Sequence, residues 1–171
     1  SPGEIYSVSI TPCIAGKMEA QRSEMTQHGL SDIDSVLTTR ELIRLIRLNG
    51  IDMHNLIPEI TDEPLEGISS AGKLADISGG HLESLLRTIY YKYLGEELNI
   101  GKLSKLRISK EIKELTLNMG DKEITVVAVS GMANLLNIIE GIRNNKCKYH
   151  IIEVMACPGG CINGVGQPIT C

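Results

Sequence analysis

Tryptophan and phenylalanine are both missing from the chain, and five tyrosines are its whole aromatic content among 171 residues. A base-stacking platform for single-stranded nucleic acid is therefore poorly provided for. Basic excess is missing too. Seventeen Lys and Arg against 21 Asp and Glu leave a formal net charge of −4, which argues against a broad nucleic-acid surface. No apolar run approaches the roughly 20 residues that span a bilayer, and the first residues carry neither a basic segment nor a signal-type apolar segment. Cysteine is sparse and odd in number, at five. A secreted disulfide scaffold is thus not expected, and an intracellular, cytoplasmic, reducing setting with metal-bound thiolates fits better. What remains is ordinary: 42% hydrophobic and 22% charged residues suit one globular unit with a sizeable core. The chain opens on Ser1, enters a strand-like run almost at once and stops just after a glycine-rich motif. A fragment or processed piece is the expectation.

Periodicity divides the chain into alternating strands and helices. Ile5-Tyr6-Ser-Val8-Ser-Ile10 alternates, placing Tyr6, Val8 and Ile10 on one face, and the run ends at Thr11-Pro12-Cys13, so a strand delivers Cys13 from its end. Val36-Leu37 reads as a short buried strand. Thr38-Thr39-Arg40-Glu41 has the spacing of a capping box and opens a helix that Gly50 closes, with Leu42, Ile43 and Ile46 inward and Arg40, Arg44 and Arg47 on a solvated face. Between Asn55 and Gly80 no period is sustained, which predicts a long loop. Ser78-Gly79-Gly80 leads into an amphipathic helix bearing Leu82, Leu85, Leu86, Ile89 and Tyr93 and stopped by Gly95. Leu115 and Leu117, a turn at Gly120-Asp121, and Ile124 to Val129 predict a hairpin whose second strand is apolar enough to be buried on both faces. Leu135, Ile138, Ile139 and Ile142 make another helix, and Tyr149 to Met155 a last strand. This order predicts an α/β fold with a mostly parallel sheet flanked by helices.

The chemistry concentrates at Cys157-Pro-Gly-Gly-Cys161-Ile-Asn-Gly-Val-Gly-Gln-Pro168, where two thiols four residues apart sit in a glycine-rich stretch directly after the last strand. A cluster needs thiolates converging on one point and backbone amides free to turn toward its sulfides, and glycine permits both. Cys13 also follows a strand end, where open parallel sheets place their sites. Three thiolates are one short of a cubane set. Candidates for the fourth ligand are Cys171, Cys147, a non-protein ligand or a cysteine on another segment. The glycines favour iron–sulfur, with zinc as the main alternative metal. Cys147, between two lysines, reads as a small packed or surface residue. Gly164-Val165-Gly166 lacks the third glycine of a dinucleotide fingerprint, and His28, His54, His81 and His150 show no metal spacing. Lys17 and Glu19 read as a charged pair that contacts an anionic cofactor or as an exposed loop pair.

The segments Thr11-Pro12-Cys13-Ile-Ala-Gly-Lys17-Met-Glu19-Ala and Glu153-Val-Met155-Ala-Cys157-Pro-Gly-Gly-Cys161-Ile-Asn-Gly-Val-Gly-Gln-Pro168 resemble the second and third signature motifs of the [FeFe]-hydrogenase catalytic domain. Asp34 to Leu42 and Ser78 to Thr88 resemble the same family, so the likeness runs along nearly the whole chain. It implies one lobe, and part of the other, of a two-lobed α/β catalytic domain over residues 1–171. It also implies reversible interconversion of dihydrogen with protons and electrons at a 4Fe-4S cubane linked to a diiron unit with carbonyl, cyanide and dithiolate ligands. By resemblance Cys13 and Cys157 ligate the cubane, Cys161 is the bridging thiolate, Met155 packs beside the diiron unit, and Thr11, Pro12, Lys17 and Glu19 border the cofactor. Implied partners are ferredoxin or accessory iron–sulfur domains, hydrogenase maturation proteins and the upstream remainder of the catalytic domain, which holds the first cysteine motif. The fragment by itself is expected to be inactive.

The chain departs from the family pattern at Thr11, where Met is usual, at Gly16, where a cyanide-binding Lys is usual, at Ala75-Asp76, where Phe-Gly is usual, and at Val165, where Gly is usual. A cyanide without its lysine loses a charge-assisted hydrogen bond, worth roughly 1.5–3 kcal/mol. Lys17 would have to reach round to replace it, and a buried Asp76 would add like-charge repulsion. These departures keep two alternatives open: a hydrogenase-like sensory or regulatory protein with little turnover, and a cubane-only protein of the cluster-assembly branch. A piece of a lobed domain is also expected to expose an apolar face.

Overall fold

Local chemistry and burial pattern together set each element of the chain, whose computed structural model describes residues 2–60, 70 and 72–168. It forms two compact units, Ser1–Asp62 with Asn163–Cys171, and Glu63–Ile162.

The second unit contains the core. Strands β5 (Ile112–Met119) and β6 (Lys122–Ser130) form an antiparallel hairpin, paired from Ile112↔Val129 to Met119↔Lys122 across Gly120-Asp121. Beside β6 runs β7 (Ile151–Met155), parallel, from Val126↔Ile151 to Ser130↔Met155, giving the order β5-β6-β7. Central β6 is buried throughout Val126–Ser130, which accounts for its unbroken apolar run. Helix α3 (Gly80–Leu94) packs Leu82, Leu86 and Tyr90 into a cluster with Leu103, Leu106, Leu115, Leu117, Met119, Val126 and Ala128. A second cluster joins Val127 and Val129 to Ile138 of the helix at Met132–Arg143 (α4). Side chains alternate across a strand, so Val126/Ala128 and Val127/Val129 lie on opposite faces, with one cluster on each.

The stripe on α3 differs from the expected one. Leu85 and Tyr93 are 43% and 51% exposed, whereas Leu82, Leu86 and Tyr90 follow a strict four-residue spacing and are buried together with Glu83. Glu83 is tolerated there because Arg107 bonds it at 2.6 and 2.9 Å and Arg87, one turn along, pairs with it as well. Arg107 foremost holds the Glu83 carboxyl below the usual range, against the opposing effect of burial.

In the first unit β1 (Val8–Thr11) pairs in parallel with β4 (Ser35–Thr38), from Val8↔Ser35 to Thr11↔Thr38. Between them come a short helix α1 (Ala15–Ala20) and a two-residue ribbon of β2 (Thr26–Gln27) and β3 (Leu30–Ser31). Helix α2 (Thr39–Leu48) starts at the expected capping box, with Thr38 Oγ1 accepting from Glu41 N and the Glu41 carboxylate accepting from Thr38 N at 2.8 Å. Leu42, Ile43 and Ile46 are half-buried and the three arginines exposed, as the pattern requires. The face carrying Tyr6, Val8 and Ile10, by contrast, is open: Tyr6 is 71% exposed and Ile10 56%. The α/β class is as expected. Among the described residues the strands form three small sheets, and both strands that lead to cysteines, β1 and β7, belong to parallel pairs. No described helix is long and apolar enough to cross a membrane.

Candidate metal centre

Strand β7 ends at Met155, buried, and two residues later Cys157 begins a tight loop. Cys157 is half-buried and Cys161, opening a 3-10 turn at Cys161–Asn163, is exposed; neither is in a disulfide. The loop turns through positive φ at Gly159 (78°) and Gly160 (107°), and Gly160 N donates to Cys157 O at 3.1 Å. No larger residue fits at Gly160, since a Cβ there would stand 2.5 Å from Ser78 N and 2.6 Å from Asp76 O. The loop lies against a ledge formed by Asp76–Ser78. Ser78 N donates to Gly159 O at 3.0 Å and Ile162 N to Asp76 O at 2.9 Å.

That ledge is fixed in turn by two charged residues that sequence reasoning missed. The Glu153 carboxylate accepts from Gly79 N at 2.5 Å and from Leu82 N at 2.7 Å, while Lys113 Nζ donates to Ser78 O at 2.5 Å. Lys113 is buried, and burial lowers its pKa against the opposing pull of Glu153. A signal for Lys113 was present in the sequence: it shares the alternating register of Leu115, Leu117 and Met119 and so had to point inward. Glu153, the lone charge within Ile151–Met155, was visible in the same way.

The Cys13 end is built differently. Thr11 Oγ1 donates to Cys13 O at 2.6 Å, and Ala15 N donates to Cys13 Sγ at 3.4 Å, so the half-buried sulfur already receives one backbone N–H. Pro12 O accepts from Gly166 N at 2.9 Å, and Gly166 O accepts from Arg40 N at 3.0 Å, which seats the tail of the third motif in this unit. Gly166 is obligatory, because a Cβ there would meet Pro12 O at 2.8 Å and Thr38 Cβ at 2.9 Å. The Arg40 guanidinium bonds Val165 O, so Val165 contributes its backbone and leaves its side chain exposed.

The expected Lys17–Glu19 pair does not form. Residues two apart on a helix face different ways, and Lys17 instead ion-pairs with Glu41 at 2.6 Å. That bond, with those to Thr38 N and Oγ1, lowers the Glu41 carboxyl to about 2. Two of the family departures are neighbours here, since a Cβ on Gly16 would lie 3.3 Å from Thr11 Cγ2. Asp76 is exposed, so the condition for like-charge repulsion, a buried carboxylate, is not met.

Cys157 and Cys161 therefore share one loop of the second unit, and Cys13 belongs to the first. Among the described residues no three Cys, His, Asp or Glu side chains gather as a ligand set. Cys147 packs beside α4, where a Cβ on Gly141 would lie 2.7 Å from its sulfur. Cys171 lies outside the described residues. All four histidines are exposed, and His150 Nδ1 accepts from Thr125 N at 3.0 Å. The donor chemistry fits an iron–sulfur cofactor: two cysteine thiols on a loop closed by positive-φ glycines, with Ser78 Oγ buried beside it and without a hydrogen-bond partner.

Comparison with known proteins identifies the family. The family model of the iron only hydrogenase large subunit, C-terminal domain, matches residues 1–165, and the chain belongs to that family. It is 39% identical to the periplasmic iron hydrogenase large subunit of Nitratidesulfovibrio vulgaris over 98% of its own length and 40% of that protein's. It is 34% identical to the cytosolic iron-sulfur assembly component 3 of Pongo abelii over 98% of its length and 36% of that protein's. A solved [FeFe]-hydrogenase from Chlamydomonas reinhardtii superposes with a TM-score of 0.80 at 28% identity, covering 99% of this chain and 50% of that one. The chain thus spans half or less of the length of these relatives.

Proposed function

We propose that this member of the iron-only hydrogenase family is the C-terminal part of a catalytic domain that interconverts dihydrogen with protons and electrons. Cys13, Cys157 and Cys161 would hold its cofactor, a 4Fe-4S cubane with a diiron unit, with Cys161 as the thiolate common to both. The observation that carries the reading is the Cys157–Cys161 loop, whose backbone accepts no side chain at Gly160 and which presents two cysteines outside any disulfide directly after a parallel strand. When bound, the cluster supplies the electron storage and the open iron site. The chain's own residues hold it. The ledge at Asp76–Ser78 sets the loop, and Ala15 N supplies a hydrogen bond to one ligand sulfur and so orients it. Met155, buried at the strand end, walls the site with an apolar, polarisable side chain. Electrons reach the domain from ferredoxin or an accessory cluster in the reducing cytoplasm, and maturation proteins install the diiron unit.

A second reading is favoured by the Lys17–Glu41 ion pair, which engages the ammonium closest in sequence to the position of the missing cyanide-binding lysine. On that reading the domain senses or carries a cubane with little turnover. Infrared spectroscopy on the full-length protein, co-expressed with the hydrogenase maturation machinery, separates them. Carbonyl and cyanide bands with hydrogen turnover are expected. Bands without turnover leave the sensory reading, and no bands with iron and sulfide bound leave the cubane-only one.

A further inference from the structure

Helix α3 begins after Gly79, which has no side chain to cap the free N–H groups of the first turn. The cap comes instead from Glu153, more than seventy residues away on β7, and each carboxylate oxygen takes one N–H. A carboxylate suits this end of a helix, where the peptide dipoles present positive charge. What sets this cap apart is where its strand goes next: four residues on, β7 has become Cys157. The contacts therefore close a ring. Glu153 holds Gly79 and Leu82, Lys113 holds Ser78, and Ser78 and Asp76 hold Gly159, between the two cysteines, and Ile162, directly after Cys161.

We propose that Glu153 is a positioning residue for the cluster thiolates, with Lys113 as its support: its carboxylate fixes the Asp76–Gly79 ledge against the strand that carries Cys157 and so sets the spacing and orientation of Cys157 and Cys161. This rests on the reading that those two cysteines bind a cluster. Both groups facing the Glu153 oxygens are donors. Glutamine cannot replace it, because its single carbonyl oxygen satisfies one N–H while its amide NH2 is turned against the other. Aspartate keeps both acceptors but is shorter by one methylene.

The test uses the full-length protein, reconstituted anaerobically with iron and sulfide, and reads iron release to a chelator and the electron paramagnetic resonance of the reduced cluster. Glu153→Gln is expected to release iron roughly tenfold faster than wild type, the scale on which groups that orient ligands act, with an altered resonance line shape. Glu153→Asp should fall between. Glu83→Gln is the control: it removes a buried carboxylate from the same helix whose partners are Arg87 and Arg107. It should lower the melting temperature while leaving release rate and resonance at wild-type values. The inference is overturned if Glu153→Gln behaves as wild type in both readouts, or if Glu83→Gln accelerates release equally. Should Glu153→Gln fail to fold, wild-type release from Glu153→Asp overturns it as well. Wild-type protein that takes up no iron would remove the cluster reading itself, and the inference with it.

Discussion

The two units of the chain are stabilised by different means. Among the described residues, every fully buried apolar side chain lies between Leu82 and Met155, inside Glu63–Ile162. The other unit buries Thr38, Gly164 and Gly166 and leaves Ile5, Tyr6, Ile10, Met18, Leu48 and Ile57 exposed. One unit is a conventional three-layer core. The other is an assembly of hydrogen bonds: a four-residue strand pair, a capping box, and a glycine tail tied to Pro12 and Arg40. Hydrophobic burial stabilises over a whole surface, whereas single hydrogen bonds contribute about 0.5–1.5 kcal/mol each. The cysteines are distributed across this contrast, with Cys157 and Cys161 anchored on the well-packed unit and Cys13 on the sparsely packed one.

The sharpest way to break the contrast is to empty the core. Leu86→Ala, at a fully buried site, should destabilise the second unit by about 2–5 kcal/mol. Amide hydrogen exchange should show the loss in α3 and β5–β7, with first-unit amides already exchanging faster in wild type. Equal protection of both units in wild type would dissolve the comparison. Glu83→Gln should cost the same unit about 2 kcal/mol, because Arg87 and Arg107 lose their common anion beside an apolar cluster. Chemical denaturation of this variant against wild type measures it.

On the other side Thr38→Ala should cost about 1 kcal/mol, the ordinary value of an N-cap, and should accelerate exchange in α2 and β4 only. The smallest effect is electrostatic. The Glu41 carboxyl is depressed from 4.5 to about 2, foremost by Lys17 and then by Thr38, so its contribution is fully present above about pH 4.5 and is lost as pH falls toward 2. The pair is exposed, and salt should weaken it. Protection of first-unit amides, taken relative to the intrinsic exchange rate at each pH, should fall between pH 4.5 and 2, and Lys17→Met should flatten that fall. Dye binding offers one further check: the open face of Tyr6, Val8 and Ile10 should bind a hydrophobic dye, and Ile10→Ser should reduce the signal where Leu117→Ser, in the core, should raise it.

Much of this arrangement was legible in the chain. Alternation located β5 and β6 and the turn between them, the capping box located α2, the unbroken apolar run of β6 announced burial on both faces, and the cysteine spacing with its glycines marked the loop. Three things were not legible. The division of the burial between two units depends on which apolar faces meet, and an alternating run such as Tyr6, Val8, Ile10 reads the same whether a partner covers it or not. The Lys17 partner was hidden because an ion pair is made by proximity in space, here with Glu41, 24 residues away. The α3 stripe was misjudged at Leu85 and Tyr93 because helical spacing fixes which residues share a side, not how wide a stripe the neighbours cover.

By itself, then, the sequence determined the family, the α/β order of elements and the place of the cysteines proposed to bind a cluster, since these depend on local spacing and residue type. Tertiary structure decided which charges pair, why Gly160 and Gly166 admit no side chain, and that the helix cap of α3 is Glu153 on the strand that becomes the cysteine loop. Those outcomes depend on distances between segments remote in sequence, and hydrogen bonds of 2.5 to 3 Å are set only when the packed elements bring their donors and acceptors together.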